Sequence, residues 1–472
     1  MPSHHRPGGM RDLLAVAVPM VVSTACDTVM IFTDRLFLAQ LSPAHMNAAL
    51  AGGLTAFLTG TFFIGLIGFS TAQVAQHLGA GRRERCALVT AQALLIACAA
   101  WPLMWALRPL VHRAFAASGI DPVQLALQTE FFDILNAGAG IMLLRGALAA
   151  FFSGIGRTRM VMAATMTAMV VNLVMNWLLI FGHWGFPALG MRGSAWGSVI
   201  GGAAGLAVLA GAYLAPALRH AYGVASSWRF DRGETLTLLR FGFPGGVEML
   251  LNLLAFNALI LAYHAHSPAT ATATTLMFNW DLVSFVPLIG LQIAVTSLVG
   301  RAMGARQPAT ARRVVRSGLR LGWMYSALVL LAFVGIPELL VAVFRPGHAD
   351  PVFAQAEPLA ASMIRVAAAY VLVETVVVVV SGALRGAGDT VFTMCLSVGL
   401  HWLLLPVAVL GLHVLHGDPL TVWCVQVAVF MAASGLFWWR WQGGRWRRIQ
   451  VVAPAPLHPP EEPEQDFPAG GG

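Results

Sequence analysis

Apolar residues in this chain gather into long, continuous runs. Runs of membrane-spanning length fall near 13–39, 46–78, 87–110, 128–152, 160–182, 193–217, 241–264, 273–300, 318–344, 358–384, 391–412 and 420–439. A helix crossing a bilayer needs about 20 residues, so the pattern predicts twelve transmembrane helices. The runs are too long and continuous for the short alternating segments of a membrane barrel. The second run is long enough to tilt or to extend past the bilayer. The first is too long, and too plainly followed by others, to read as a cleaved signal.

Composition strengthens this reading. Of 472 residues, 11% are charged and 58% hydrophobic, with a mean hydropathy of +0.73. Soluble domains carry about 25% charged residues; a large soluble core would not require so few. The five cysteines (Cys26, Cys86, Cys98, Cys395 and Cys424) are scattered, with no spacing that suggests a zinc site or a disulfide framework. The net charge of +8 raises the possibility of a nucleic-acid partner. The arginines lie in short loops between apolar runs, however, which is a topology signal and not a phosphate-binding face.

With twelve spans both termini share one side. That side carries 22 arginines in its loops and tails, against four (Arg108, Arg113, Arg192 and Arg345) on the other; Arg35, Arg145 and Arg365 fall inside spans. The excess predicts cytoplasmic termini. The Pro-, Gly- and Glu-rich tail after about 449 is expected to be disordered. The polar stretch 218–240 is the natural linker between lobes 13–217 and 241–439, with 1–12 and 440–472 as cytoplasmic ends.

The two halves repeat. A shift of 225 residues places Pro19 on Pro244, Gly65 on Gly290, Thr71 on Thr296, Val74 on Val299 and Gly79-Ala80 on Gly304-Ala305. The strings QHLGAGRRERC and GRAMGARQPATARR then occupy matching loops, and at a shift of 232 SGIGRT (153–158) meets RGAGDT (385–390). The expected fold is therefore all-α, with twelve transmembrane helices in two pseudo-symmetric six-helix lobes. Repeated halves in a membrane protein point to a transporter that alternates access to a central site. No GxxxxGKS/T loop is present, so direct drive by ATP is excluded and an ion gradient or the substrate must supply the energy.

Several segments, in order, resemble the multidrug and toxic compound extrusion (MATE) family over about 10–445. They are Pro19 followed by Asp34; Gly79, Gly81 and Arg82; NLVMNWLLIFGHWGFPALGMRG (172–193); YVLVETVVVVVSGALRGAGDT (370–390); and HWLLLP (401–406). The resemblance implies a bacterial inner-membrane antiporter. It would expel hydrophobic, often cationic, organic compounds against H+ or Na+, with no resident cofactor, the lipid bilayer as its surroundings and no nucleic-acid partner. A monomer is expected.

A carboxylate in hydrocarbon is costly, so Asp34 should face a cavity and exchange protons or cations. Asn172 and Asn176 share one helical face and match the family's polar cluster beside it; the plainer alternative pairs Asp34 with Arg35. Glu374, with Tyr370 one turn earlier, is the matching candidate in the second lobe, the alternative being a salt bridge to Arg365 or Arg145. Glu248 is a further coupling candidate, and Glu248, Tyr370 and Glu374 together are a possible Na+ site. Sodium-coupled relatives, however, carry their acid one turn later, at Asn252. Asp27, Asn252 and Asn279 are candidates to line a substrate cavity, and Asp281 is left open. Phe57, Phe278, Trp280 and Phe285 suit flat apolar cations, or else lipid-facing belts. Pro19 and Pro244 are expected to bend their helices or free a carbonyl.

Three rivals remain. A lipid-linked oligosaccharide flippase of the same superfamily would need cavity arginines for pyrophosphate, and Arg145 and Arg365 are available. A major facilitator transporter also has two six-helix halves, but its second-to-third loop normally carries an acid that Gly79-Ala-Gly-Arg-Arg lacks. A membrane-embedded transferase would need DDxxD, HExxH or paired loop carboxylates, none of which is present.

Overall fold

The computed structural model describes residues 7–345 and 350–452. Among these described residues, eleven helices are long and apolar enough to cross a membrane, and one bent pair, taken as one span, makes twelve. In the first half these are α1 (Met10–Ala39), α2 (Ala44–Gly79), α3 (Arg83–Ala116), α4 (Pro122–Ala137 with Ala139–Gly154), α5 (Thr158–Phe181) and α6 (Met191–Leu214). The second half holds α7 (Arg232–His264), α8 (Pro268–Gly304), α9 (Pro308–Gly335), α10 (Pro351–Ala387), α11 (Thr390–Val414) and α12 (Pro419–Gln442). The chain is a multi-pass, all-helical membrane protein. The two parts of α4 meet at 44°, and the carbonyl of Ala137 at the bend accepts the indole N–H of Trp101 at 2.9 Å.

Hydropathy marks only the membrane-embedded part of a helix, and several starts lie earlier for that reason, among them α9 at Pro308 against 318 and α10 at Pro351 against 358. α7 starts at Arg232, not at 241, because Asp231 caps it by accepting from the Glu234 N–H. The ordered C-terminal chain runs past 449. Trp446 is fully buried and stacks on Trp441 at 4.1 Å, and Ile449 and Val451 pack onto the first lobe. Disorder expected after about 449 is thus not found at 449–452; the rest of that tail, 453–472, lies outside the described residues, as do 1–6 and 346–349.

The repeat found in the sequence governs how the lobes meet. Added to Gly65, a Cβ would lie 2.5 Å from the Gly245 carbonyl oxygen and 2.8 Å from the Gly246 Cα; added to Gly290, it would lie 2.6 Å from the backbone nitrogen of Val21. The 225-residue shift converts the pair 65/246 into the pair 290/21. Gly79 against the Arg301 carbonyl and Gly304 against that of Gln76 exchange in the same way: a Cβ added to either would collide with the facing carbonyl oxygen. Each lobe thus offers the same patch to the other, and only glycine allows so close an approach.

The helix starts cross over. Leu13, Val16 and Ala17 of α1 belong to the apolar cluster of α8, α9 and α10, while Leu238 of α7 sits in the first-lobe core. Polar contacts tie down the same end. Glu234 accepts from Gln73 Nε2 at 2.8 Å and lies 3.1 Å from His77 Nε2, and Arg85 bridges Asp231 and Glu234 at 3.2 and 3.3 Å. In the pseudo-equivalent place, Ser317 donates to the Gly8 carbonyl at 3.3 Å and Arg313 to that of Pro7 at 2.9 Å. Among the described residues, every hydrogen bond and ring contact found between the lobes lies from the helix midpoints toward this arginine-rich end. The one farthest from it joins Thr24 to the Val286 carbonyl, at 3.4 Å.

Candidate functional site: two carboxyl clusters, one in each lobe

In the first lobe, α5 and α6 pack closely beside α1. Gly197 and Gly201 of α6 make this possible: a Cβ on Gly197 would lie 2.1 Å from Asn176 Oδ1, and one on Gly201 2.8 Å from the Asn172 Cβ. Asn172 and Asn176 are fully buried. Asn176 donates to Asp34 Oδ1, and Ser198 donates to Asp34 Oδ2 at 2.9 Å. Asn172 donates to Ser198 at 3.2 Å, and its own amide oxygen accepts from Asn176 at 3.4 Å. Asp34 is thus held by neutral donors and forms no ion pair with Arg35. The structure brings Asp34, Asn172 and Asn176 together as expected. It adds Ser198, which sequence reading missed because a serine in a small-residue helix carries no signal of its own.

In the second lobe, a cavity of about 110 Å³ lies between α7, α8, α10, α11 and α12. Its polar residues are Asp281, Tyr370, Glu374, His401 and Gln426. Tyr370 donates to Asp281 Oδ1; Glu374, one turn on, is buried with Oε2 unpartnered. Phe278 meets Trp423 edge-on at 5.8 Å and Phe256 at 5.0 Å, and Tyr370 lies 5.4 Å from Phe430. Two carboxyl groups share this aromatic box with no guanidinium. A proton or a cation must accompany them, since two like charges cannot both stand bare in a poorly hydrated space.

The remaining candidates sort by position. Glu248 does not join Tyr370 and Glu374. It pairs with Arg385 at 2.7 Å, and Arg385 lies eleven residues beyond Glu374, about 16 Å along the helix. The three-residue Na+ site is therefore corrected: one ion cannot span that distance. Asn279 is exposed and outside the cavity, because Phe278 and Asp281 occupy the inward face of α8; Asp281 takes its place. Trp280 points elsewhere, donating to the Leu340 carbonyl at 3.0 Å. Phe285 packs on the cluster of α8, α9 and α10. Phe57 is exposed and separate from the chamber. Asn252 lies below the chamber, donating to Ser397 Oγ at 2.8 Å, and Phe278 alone of the four aromatics lines it. Pro19 and Pro244 are buried inside helices that continue through them.

Two of the three arginines inside spans are occupied. Arg145 pairs with Asp27 at 3.1 Å, so Asp27 is not a free cavity acid, and Arg365 pairs with Glu338. Neither reaches Glu374. Among the described residues no group of three His, Cys, Asp or Glu is placed to hold a metal ion. The oxygen-rich first-lobe cluster has the donor type that hard cations prefer.

Comparison with known proteins places this arrangement. The MatE family model matches residues 19–178 and 244–410, the two halves of the repeat. A probable multidrug resistance protein NorM of Pseudomonas putida is 29% identical over 94% of this chain and 96% of its own. The multidrug resistance protein PmpM of Pseudomonas aeruginosa is 26% identical over 88% of this chain and 85% of its own. An outward-facing structure of a multidrug resistance MATE family transporter of the MOP superfamily superposes with a TM-score of 0.84 at 17% identity, covering 93% of this chain and 97% of that one. On the family match over both halves, this chain is a member of the MatE family of transporters.

Proposed function

We propose that this protein is an antiporter of a bacterial inner membrane that expels hydrophobic, often cationic, organic compounds in exchange for inward H+ or Na+, with both termini in the cytoplasm. It acts by alternating access, as a monomer and without chemical conversion of its cargo. The relatives named as multidrug resistance proteins support the class of cargo. The observation that carries the mechanism is the pair of membrane-embedded carboxyl clusters, Asp34 in one lobe and Asp281 with Glu374 in the other, both without a cationic partner.

A carboxyl group kept where its bare charge is costly changes the balance between conformations when it gains or loses a proton or cation. Cargo that favours one lobe arrangement and an ion that favours the other are then coupled reciprocally. The lobes touch from mid-helix to the arginine-rich end, so the conformation described opens away from the cytoplasm. Drug-sized ligands need about 300–1,000 Å³. The second-lobe chamber therefore suits a proton, an ion or a small cationic head, and the bulk of the cargo occupies the crevice between the lobes. Rotation of the Asn176 amide would turn its unpartnered oxygen toward a cation beside Asp34. The flippase reading is disfavoured because Arg145 and Arg365 are already neutralised by acids.

Uptake of an ethidium-like dye into everted membrane vesicles, with a sodium or a pH gradient imposed, tests the proposal. One of the two gradients should drive uptake. Asp34→Asn and Glu374→Gln should each reduce it at least about tenfold at unchanged expression. Wild-type uptake by both variants would remove the two clusters from the mechanism.

A further inference from the structure

Buried polar atoms without a protein partner form a line through the second lobe. Glu374 Oε2, Asn252 Oδ1, Glu248 Oε2 and Arg385 Nε are all buried and unpartnered. Buried polar atoms are otherwise nearly always paired with protein or with water. Three hydrogen bonds hold neighbouring side chains of this region: His401 Nδ1 to the Ser397 carbonyl at 2.8 Å, Asn252 Nδ2 to Ser397 Oγ at 2.8 Å, and Arg385 Nη2 to Glu248 Oε1 at 2.7 Å; the gaps between them are where the unpartnered atoms would take water. His401 lines the chamber beside Asp281, Tyr370 and Glu374. Ser397 is one turn earlier on α11, and Glu248 is one turn before Asn252 on α7. Arg385 lies in the last turn of α10. The line therefore runs from the chamber at mid-helix to the arginine-rich end.

We infer that this line is the proton path of the second lobe, joining the Asp281–Glu374 chamber to the arginine-rich face, with His401 as relay and Glu248 as exit acceptor. The inference rests on the antiporter reading and selects H+ as the ion for this lobe. The carbonyl of Ser397 requires a hydrogen on His401 Nδ1, so the neutral ring presents the Nε2 lone pair. A proton leaving the carboxyl of Glu374 or Asp281 adds to Nε2, giving a carboxylate and an imidazolium. The same proton passes through water to Glu248 Oε2, and the ring returns to neutral. Glu248 releases it to solvent when the arginine-rich end parts, leaving the carboxylate paired with Arg385. One proton has moved from the chamber to solvent: His401 and Glu248 return to their starting states, and the chamber carboxyl, now a carboxylate, takes up its next proton when the opposite end is open. Lining the chamber with His401 are Asp281 from α8 and Tyr370 and Glu374 from α10; α12 contributes Gln426 and aromatic residues, and Glu248 with Arg385 is the charged pair toward the arginine-rich end.

The test uses the full-length protein in liposomes containing a trapped pH-sensitive dye, with an ethidium-like compound as cargo. Two quantities are read: cargo counterflow without an ion gradient, and proton movement driven by cargo. Glu248→Gln should keep counterflow within about twofold of wild type and lose cargo-driven proton movement about tenfold or more, while Glu248→Asp restores it. The double variant Glu248→Gln/Arg385→Gln, which strands no charge, should behave like Glu248→Gln. His401→Gln should lose proton movement and flatten its pH profile. If all these variants move protons as wild type does, the path is overturned and the antiporter reading stands. Equal loss of counterflow and proton movement by Glu248→Gln and the double variant would make the pair structural and also overturn the path. If wild-type protein exchanges cargo with a sodium gradient alone, the path falls while coupled antiport survives. If neither gradient couples to cargo, the antiporter reading itself falls, and the path with it.

Discussion

At the scale of single residues, the environment of a carboxyl group matters more than its presence. Asp27, Asp34, Glu248, Asp281 and Glu374 all lie in apolar helices, but two of them are neutralised by arginine and three are not. The three without arginine are therefore expected to respond to ions. Ser198→Ala removes one of the two donors to Asp34 and should weaken coupled dye uptake several-fold without abolishing it, as measured in everted vesicles. Tyr370→Phe leaves Asp281 without its donor and should impair coupling while the protein still folds, read by the same assay and by thermal stability in detergent. None of this was legible from residue type alone. Asp34, with its asparagines, could be found because a family pattern places them in order. Asp281 could not be separated from Asn279, because α8 is apolar on every side and its sequence does not show which face turns inward.

At the scale of helices, glycine and ion pairs set the distances at which elements meet. Gly197→Ala would press a methyl group against Asn176 Oδ1 and should disrupt coupling with helix content unchanged, comparing dye uptake with circular dichroism. Asp389, in the turn between α10 and α11, holds Arg440 of α12 in a two-point pair at 2.8 and 3.1 Å, largely buried. Asp389→Ala strands that guanidinium and should cost about 3 kcal/mol, measured as a lower midpoint of thermal unfolding. The spans themselves were legible, because the thickness of hydrocarbon dictates the length of every run. Their ends were less so. The first turns of α7 are polar enough to read as linker; the Asp231 cap and docking on Gln73, His77 and Gln92 support them as helix.

At the scale of the whole molecule, the two lobes exchange equivalent contacts and close one end. The expected consequence is a conformation that can be trapped. In a variant lacking the five native cysteines, Gln73→Cys with Glu234→Cys should cross-link with a short bifunctional reagent, arrest dye transport, and recover on reduction. A cross-linked protein that transports at the wild-type rate would show that this end does not part during the cycle. Substituting Gly304 by valine should have the opposite effect, since a side chain there collides with the Gln76 carbonyl. The closed end should loosen, with faster labelling of cysteines placed behind it.

The sequence alone determined that this chain crosses a membrane twelve times, that its halves repeat, and which end carries the positive charge. Each of these follows from counting apolar length, periodic identity and arginines, quantities that need no knowledge of neighbours. The tertiary structure decided which acids are free. Pairing depends on residues far apart in the chain, Asp27 with Arg145 and Glu248 with Arg385, and on which face of an all-apolar helix turns inward. Hydropathy cannot resolve that choice, because lipid and protein interior present nearly the same solvent to an apolar side chain.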